Sequence, residues 1–270
     1  MSGQVASFVG SIPENYDRGL GPMIFVDYAL DMAKRAAASK PARVLETACG
    51  TGIVTRKLRD LLPAAAQLTA TDLNPPMVEV ARGKFRAGEK VELKQADATQ
   101  LPFADASFDA VICQFGVMFF PDKDKSYREV QRVLAPGGRY LFNVWDAHRY
   151  NAYARIAHET IGSFFPADPP GFYRVPFGYH AIDPIKESLL AAGFTGLSAS
   201  VVTVEKEIPE AAQFARGLVF GNPVIEQINQ RGGVEAEQVR KAVTDALIAA
   251  FGRDPGRMTL QAIVFEAMKR

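Results

Sequence analysis

A stretch of nine residues, Val44-Leu45-Glu46-Thr47-Ala48-Cys49-Gly50-Thr51-Gly52, constrains the fold of this chain most strongly. An aliphatic run ends at Glu46, a loop of small residues follows, and residues 53–62 have helical spacing. Glycine lets a ligand approach the backbone closely, and the free N–H groups at a helix start attract a negative group. The pattern therefore predicts a strand, a tight turn and a helix that cradle a nucleotide-type ligand. A tight connection without a ligand is the simpler alternative.

A second acidic residue follows the next predicted strand. Residues 67–71 have strand character, Asp72 closes the strand, and Pro75-Pro76 suits a helix start. Asp72 lies 20 residues after Gly52, the spacing at which a carboxylate accepts hydrogen bonds from both ribose hydroxyls. An N-cap role is the structural alternative, but Asn74 is also able to cap this helix. We therefore favour ribose binding for Asp72.

The first half of the chain alternates between strand and helix patterns, which predicts a doubly wound α/β sheet. The predicted strands are residues 43–47, 67–71, 91–95, 110–113 and 139–145, and the predicted helices are 52–62 and 123–134. Pro136-Gly137-Gly138 is expected to end the last of these helices sharply. Residues 1–19 are mixed and interrupted by glycine and proline, whereas 21–38 have helical spacing. That helix either packs on the sheet or covers the ligand.

The second half is where specificity is expected to lie. Residues 146–179 are rich in aromatics and proline, which is typical of either a pocket roof or a satellite hydrophobic cluster. A helix over 183–192, a strand over 198–205, helical patterns over 209–251 and a last strand over 258–267 follow.

Composition narrows the function classes. The 270 residues are 48% hydrophobic and carry 31 basic against 30 acidic side chains, so no bulk charge attracts nucleic acid or an anionic membrane. Cys49 and Cys113 lie in apolar strand contexts, typical of core residues rather than a disulfide or a metal site. Residues 1–13 lack a signal-peptide pattern and no apolar window is long enough to span a bilayer. We expect a soluble cytoplasmic protein with a small-molecule partner, no nucleic acid and no metal.

Besides the first loop, five short stretches follow one another in a distinctive order: Thr71-Asp72-Leu73-Asn74, Gln95-Ala96-Asp97-Ala98, Leu101-Pro102-Phe103, Ser107-Phe108-Asp109-Ala110-Val111 and Leu134-Ala135-Pro136-Gly137-Gly138. Taken together and in this order, over residues 40–146, they resemble the class I S-adenosylmethionine-dependent methyltransferases. Within that class, the chain is similar to the ubiquinone/menaquinone-biosynthesis C-methyltransferase group. Asn15-Tyr16-Asp17-Arg18 and Leu20-Gly21-Pro22 resemble the N-terminal cap of the same group.

The resemblance implies an α/β, doubly wound, Rossmann-like sheet of seven strands, mostly parallel with the last strand antiparallel, in one structural domain. The segments it implies are an N-terminal helical cap (1–40), a cofactor-binding core (41–146), a substrate roof with a helix and strand six (147–205), a helical insertion (206–256) and a final strand (257–270). The insertion would shape an acceptor site or a dimer surface, so a homodimer stays open.

The resemblance also implies S-adenosyl-L-methionine as cofactor and S-adenosyl-L-homocysteine as product. The implied cofactor-binding residues are Tyr16 of the cap, Glu46, Ala48, Cys49, Gly50 and Gly52 around the methionine moiety, Asp72 at the ribose, Leu73 and Met77 at the adenine, Asp97 and Ala98 at its exocyclic amine, and Gln114 and Phe115 at the boundary with the acceptor. Ala48 departs from the family pattern, which has a glycine there.

Methyl transfer to a small-molecule oxygen, carbon or nitrogen is the function we expect. Since the sulfonium methyl is already activated, in-line placement of the acceptor is the main catalytic task. His148 and His180, which flank the aromatic segment, are the candidates for a general base. A non-catalytic binding or regulatory protein on the same fold is one alternative. An NAD(P)-dependent oxidoreductase is the other, but Thr55 replaces the third small residue of its fingerprint.

Overall fold

The structure, a computed structural model, describes residues 7–270, so the first six residues of the predicted cap lie outside the described part. The strands are β1 (Arg43–Thr47), β2 (Gln67–Asp72), β3 (Val91–Gln95), β4 (Phe108–Gln114), β5 (Leu134–Trp145), β6 (Phe194–Ile208) and β7 (Gly256–Lys269). The α-helices are α1 (Ile12–Asn15), α2 (Val26–Ala37), α3 (Ile53–Leu61), α4 (Pro75–Arg82), α5 (Lys123–Val133), α6 (Ala152–Ser163), α7 (Ile182–Ala191), α8 (Ala211–Phe220), α9 (Val224–Arg231) and α10 (Ala236–Phe251). A π-helix, Tyr16–Phe25, lies between α1 and α2.

The seven strands form one sheet in the order β3-β2-β1-β4-β5-β7-β6. β1 is parallel to β2 and β4, β2 is parallel to β3, and β4 is parallel to β5. The last strand is antiparallel, and the predicted fold class is confirmed. Because Thr47 pairs with Thr71 and Asp72 with Gln95, the carboxyl ends of β1, β2 and β3 lie at one edge of the sheet. Ligands bind at this edge in open α/β sheets.

The described residues fall into two compact units. The sheet unit comprises Val26–Val144, His180–Val201 and Ile263–Arg270. The helical unit comprises the described residues up to Phe25, together with Trp145–Tyr179 and Val202–Ala262. The segment boundaries implied by the resemblance stay a prediction.

Buried aromatic rings form the core of the sheet unit beside β5. The rings of Phe142 and Phe265 stack with centroids 5.0 Å apart at 12°, and those of Tyr140 and Phe194 stack at 5.8 Å and 28°. Tyr127 of α5 meets Tyr140 edge-on at 6.2 Å. All five side chains are almost fully buried, so each removes a large apolar area from water. Together they fix the packing of α5 on the sheet and the place of β6 within it.

In the helical unit, α8 packs closely against the π-helix. A Cβ atom built on Gly19 would lie 2.6 Å from the Cα of Gly217, so two glycines make this approach possible. The sequence was expected to be irregular here, but helical structure begins at Ile12 and continues through Pro22 in the π-helix. Local glycine and proline disfavour a helix, and the packing against α8 outweighs that preference.

A second difference concerns Pro136-Gly137-Gly138. These residues do not end a helix, because α5 already ends at Val133, and they lie inside β5. Leu134 pairs with Phe108, whereas the next paired residue of β5 is Arg139, opposite Ala110. The proline and glycines therefore form an irregularity in the strand, a position that both residue types favour. β6 and β7 also extend beyond their predicted limits.

Candidate functional site

The loop between β1 and α3 has a left-handed backbone at three of its residues. Ala48, Gly50 and Gly52 have φ of 51°, 55° and 79°. A Cβ on Gly52 would lie 2.9 Å from the Cβ of Ala81, so this glycine lets α3 approach α4. A Cβ on Gly50 would have nothing within 4 Å, so open space lies beside its backbone. Gly50 thus provides the open side of the cradle and Gly52 its packed side.

Asp72 connects this loop to the loop that follows β2. Its Oδ2 accepts the N–H of Gly50 at 2.8 Å, and its Oδ1 accepts the N–H of Asn74 at 2.8 Å. Burial raises the pKa of Asp72, and the hydrogen bonds from Asn74 and Gly50 oppose that rise. Asn74, and not Asp72, occupies the N-cap position of α4, so the N-cap alternative for Asp72 does not hold. The carboxylate instead fixes the shape of the cradle.

Glu46 is the most unusual group at this edge of the sheet. Glu46 is 1% exposed, and its Oε2 atom has no hydrogen-bond partner among residues 7–270. Burial raises the pKa of Glu46 from 4.5 to about 8, the Thr55 hydroxyl opposes the rise, and the Asp72 charge adds to it. A buried polar atom without a partner is costly, and a bound group that supplies the missing partner is one explanation for it.

The two cysteines are free and buried. Burial and the neighbouring Glu46 and Asp72 raise the pKa of the Cys49 thiol. Burial raises the pKa of the Cys113 thiol to about 12. Both thiols are therefore protonated at neutral pH and unsuited to act as nucleophiles.

The residues implied at the adenine lie on the loops after β2 and β3. Leu73 is 52% exposed, unusual for a leucine, whereas Met77 of α4 is buried. Asp97 accepts the N–H and the hydroxyl of Thr99 on Oδ1, at 2.7 and 2.8 Å. Ala98 is buried beside it. These bonds fix the Asp97 carboxylate in one orientation.

At the end of β4, after Gln114, the backbone of Phe115 is strained. Phe115 has a φ of 52°, which is rare for a bulky residue. Its N–H donates to Oδ1 of Asn143 at 2.9 Å, and its ring meets Tyr28 edge-on at 5.4 Å. Asn143 is fully buried and holds the strained turn. Sequence reasoning missed Asn143, although one amide within the apolar run of β5 was a signal.

Gly116 brings the end of β4 against the cradle loop. A Cβ on Gly116 would lie 2.5 Å from the Cβ of Ala48 and 2.7 Å from the Sγ of Cys113. The strained residues Ala48 and Phe115 therefore flank one close contact. Strained backbone is maintained at functional sites when the surrounding packing determines it.

His148 and His158 lie side by side. In the helical unit, His148 Nε2 lies 3.1 Å from the carbonyl oxygen of Tyr173, so Nε2 carries the proton and Nδ1 is the acceptor. His148 stacks on His158 at 5.8 Å and contacts Phe177 at 4.8 Å. Burial and His158 lower the pKa of His148, and the bond to Tyr173 opposes this. His180 belongs to the sheet unit. Sequence reasoning did not select His158, because stacking between residues ten apart has no local pattern.

Tyr16 is the one predicted cofactor-binding residue that lies in the helical unit, and all the others lie in the sheet unit. Its ring stacks on Phe25 at 4.8 Å and 21°.

Residues 7–270 contain no group of three or more histidine, cysteine or acidic side chains arranged to hold a metal ion. None of their helices is both long and apolar enough to cross a bilayer.

Comparisons with known proteins agree with this geometry. Residues 45–142 match the family described as "Methyltransferase domain". The chain is 32% identical over 185 residues to a ubiquinone/menaquinone biosynthesis C-methyltransferase of Pasteurella multocida, covering 62% of this chain and 69% of that protein. It is 44% identical over 114 residues to a demethylmenaquinone methyltransferase of Thermus thermophilus, covering 42% of this chain and 50% of that protein. The chain thus spans about half the length of several curated relatives that it matches.

Solved structures show the same fold. Phosphoethanolamine N-methyltransferase 2 of Haemonchus contortus, solved with S-adenosyl-L-methionine, superposes with a TM-score of 0.60 at 19% identity, over 95% of this chain and 56% of that one. The YcgJ protein of Bacillus subtilis superposes with a TM-score of 0.59 at 22% identity, over 90% and 99% of the two chains.

The strand order and the glycine cradle are those of the class I S-adenosylmethionine-dependent methyltransferases, and the chain belongs to this family. Within the family, it is similar to the ubiquinone/menaquinone biosynthesis C-methyltransferases, as the sequence resemblance implied.

Proposed function

We propose that this chain transfers the methyl group of S-adenosyl-L-methionine to the oxygen, carbon or nitrogen of a small molecule and releases S-adenosyl-L-homocysteine. The observation that carries the proposal is Glu46 Oε2, a buried acceptor directly before the open glycine cradle that finds no partner in the described part of the chain. The cofactor has a positively charged methionine moiety, which such a carboxylate suits. Two further acidic residues, Asp72 and Asp97, follow strands whose carboxyl ends lie at the same edge.

The residues of the sheet unit divide the task of holding the cofactor. Glu46 and the loop of Ala48, Cys49, Gly50 and Gly52 would hold the methionine moiety. The other assignments are Asp72 for the ribose hydroxyls, Leu73 and Met77 for the adenine face, Asp97 and Ala98 for its amine, and Gln114 and Phe115 for the side towards the acceptor. Exposure of Leu73 supports its assignment, since an apolar side chain gains from covering a flat ring. Tyr16 of the π-helix is proposed as a further contact.

When bound, the cofactor supplies a methyl group that is already activated on a cationic sulfur. The chain then has to place the acceptor atom in line with it and exclude water. The strained Phe115, held by Asn143, supports a positioning role at the end of β4. For an acceptor that must lose a proton, His148 is the better supported base, since its lowered pKa keeps Nδ1 unprotonated near neutral pH. His180 remains the second candidate.

The acceptor class follows from charge and from the relatives. A formal net charge of +1 gives no general attraction for nucleic acid, which supports a small-molecule acceptor. Relatives named for ubiquinone and menaquinone biosynthesis support testing quinone-like and phenolic rings first. We also propose that the protein acts in the cytoplasm, which the free cysteines support, and that a homodimer is compatible with the helical insertion.

A transfer assay tests this function. Purified protein is incubated with methyl-labelled S-adenosyl-L-methionine and a panel of phenolic, quinone-like and amine acceptors, and the label is followed into product. We expect one acceptor class to be labelled by the wild type and by the exposed control Asp183→Ala, but not by Asp72→Ala. Cofactor binding without transfer to any acceptor would instead favour a non-catalytic regulatory protein. His148→Ala and His180→Ala then distinguish the two candidate bases by their effect on kcat.

A further inference from the structure

Glu46 is surrounded by groups that cannot neutralise a negative charge. Asp72 faces it from β2, Cys49 from the cradle loop, Cys113 from β4 and Thr55 from α3. These neighbours are an acid, two thiols and a hydroxyl. In the described part of the chain, no lysine or arginine forms an ion pair with Glu46, and its Oε2 accepts no hydrogen bond.

A carboxyl group that is buried among such neighbours favours its neutral, protonated form over the charged carboxylate. Removing an ionised carboxylate from water costs several kcal/mol unless a cation or several donors compensate. The Thr55 hydroxyl opposes the rise in the pKa of Glu46, which nevertheless stays near 8. A cation placed against Glu46 would favour the charged form and release the proton.

We propose that Glu46 is a neutral carboxylic acid in the free protein and becomes a carboxylate when the cationic methionine moiety of the cofactor binds, so that cofactor uptake releases a proton. The inference rests on the proposed function and adds that Glu46 makes the site selective for a charged ligand. In this step the O–H bond of Glu46 breaks and its proton passes to the buffer. No other bond changes and nothing is oxidised or reduced.

The sign of the pH dependence follows from this step. Since binding releases a proton, affinity for S-adenosyl-L-methionine should rise tenfold per pH unit below about 8 and level off above it. Two parts of the ligand carry positive charge, the sulfonium and the α-ammonium. S-adenosyl-L-homocysteine keeps only the ammonium, and 5′-methylthioadenosine has neither, so the three ligands identify which charge ionises Glu46.

Calorimetry counts the protons directly. Each ligand is titrated at pH 7.0 in two buffers with different ionisation enthalpies, because the difference in observed heat gives the number of protons released. We expect about one proton for S-adenosyl-L-methionine with the wild type, since a group of pKa about 8 is mostly protonated at pH 7. The exposed variant Glu187→Gln should behave like the wild type. Glu46→Gln should release about one proton fewer than the wild type. The ligand's own amine titrates in both experiments, so the difference between the two proteins removes its contribution.

The outcomes separate this inference from the proposed function. Proton release with S-adenosyl-L-methionine alone supports the inference and identifies the sulfonium as the cause. Proton release with S-adenosyl-L-homocysteine as well also supports it and identifies the ammonium. Equal release with 5′-methylthioadenosine, or cofactor binding by the wild type without proton release, overturns the inference and leaves the function standing. A wild type that binds no S-adenosyl-L-methionine overturns both. If Glu46→Gln does not fold, the wild-type comparison of the three ligands and the pH series still decide.

Discussion

The buried Glu46 predicts that a single amide substitution stabilises the free protein in a pH-dependent way. The pKa of Glu46 is about 8 in the folded protein, against 4.5 for an ordinary glutamate. Between these values the folded state binds more protons than the unfolded state, so the free energy of unfolding falls as pH rises. The fall is about 1.4 kcal/mol per pH unit, which amounts to about 3 kcal/mol at pH 7 and about 5 kcal/mol above pH 8. The amide of Glu46→Gln does not ionise, so the free energy of unfolding of the variant does not fall with pH for this reason.

Urea unfolding at pH 5, 6, 7 and 8, followed by circular dichroism, measures the difference between wild type and Glu46→Gln. We expect the variant to gain stability relative to the wild type with each step in pH, and to bind S-adenosyl-L-methionine more weakly despite that gain. The exposed variant Glu187→Gln should show no such trend. A difference between wild type and Glu46→Gln that is constant from pH 5 to 8 would refute the reasoning, because it would mean that Glu46 has the same pKa in the folded and unfolded states.

Two further substitutions test the packing of the site. Gly52→Ala should cost about 2–4 kcal/mol of unfolding free energy, since it adds overlap with Ala81 to the strain of a left-handed residue. The control Gly88→Ala, at a position with φ 89° and open space, should cost only about 1 kcal/mol. Equal losses of stability for the two variants in urea unfolding would contradict the overlap with Ala81. Asn143→Ala should cost about 1–3 kcal/mol and lower kcat more than it raises KM, because the buried N–H of Phe115 loses its side-chain acceptor and keeps only the backbone carbonyl of residue 143. A loss below about 1 kcal/mol would show that the turn does not depend on Asn143.

Local sequence patterns were sufficient to predict the first three strands of the sheet. Short runs of strand-forming residues and the turn residues after them predicted β1 and β2 to within a residue, and the alternation of apolar and polar residues predicted β3. The pair of glycines at 50 and 52 indicated the cradle: a Cβ on Gly52 would overlap Ala81, whereas open space lies beside Gly50. Asp72 was identified from spacing alone, but its bonds to two loops could not be read from spacing.

The features that sequence reasoning missed depend on distant parts of the chain. The π-helix runs through Gly19 because α8, about 200 residues later, supplies Gly217 at the crossing. Asn143 matters because both its side-chain oxygen and its backbone carbonyl accept the N–H of Phe115, 28 residues earlier. The raised pKa of Glu46 results from burial and from the charge of Asp72, 26 residues later, and neither can be read from one segment. Tertiary packing decides such features, and local propensity does not.

Calorimetric titration of S-adenosyl-L-methionine and, separately, of NADH into the purified protein tests the central claim most directly. Asp72→Ala is the site variant and the exposed Asp183→Ala its matched control. The account predicts micromolar binding of S-adenosyl-L-methionine alone, retained in Asp183→Ala and lost in Asp72→Ala. Binding of NADH with no binding of S-adenosyl-L-methionine would contradict it and assign the cradle to an oxidoreductase cofactor.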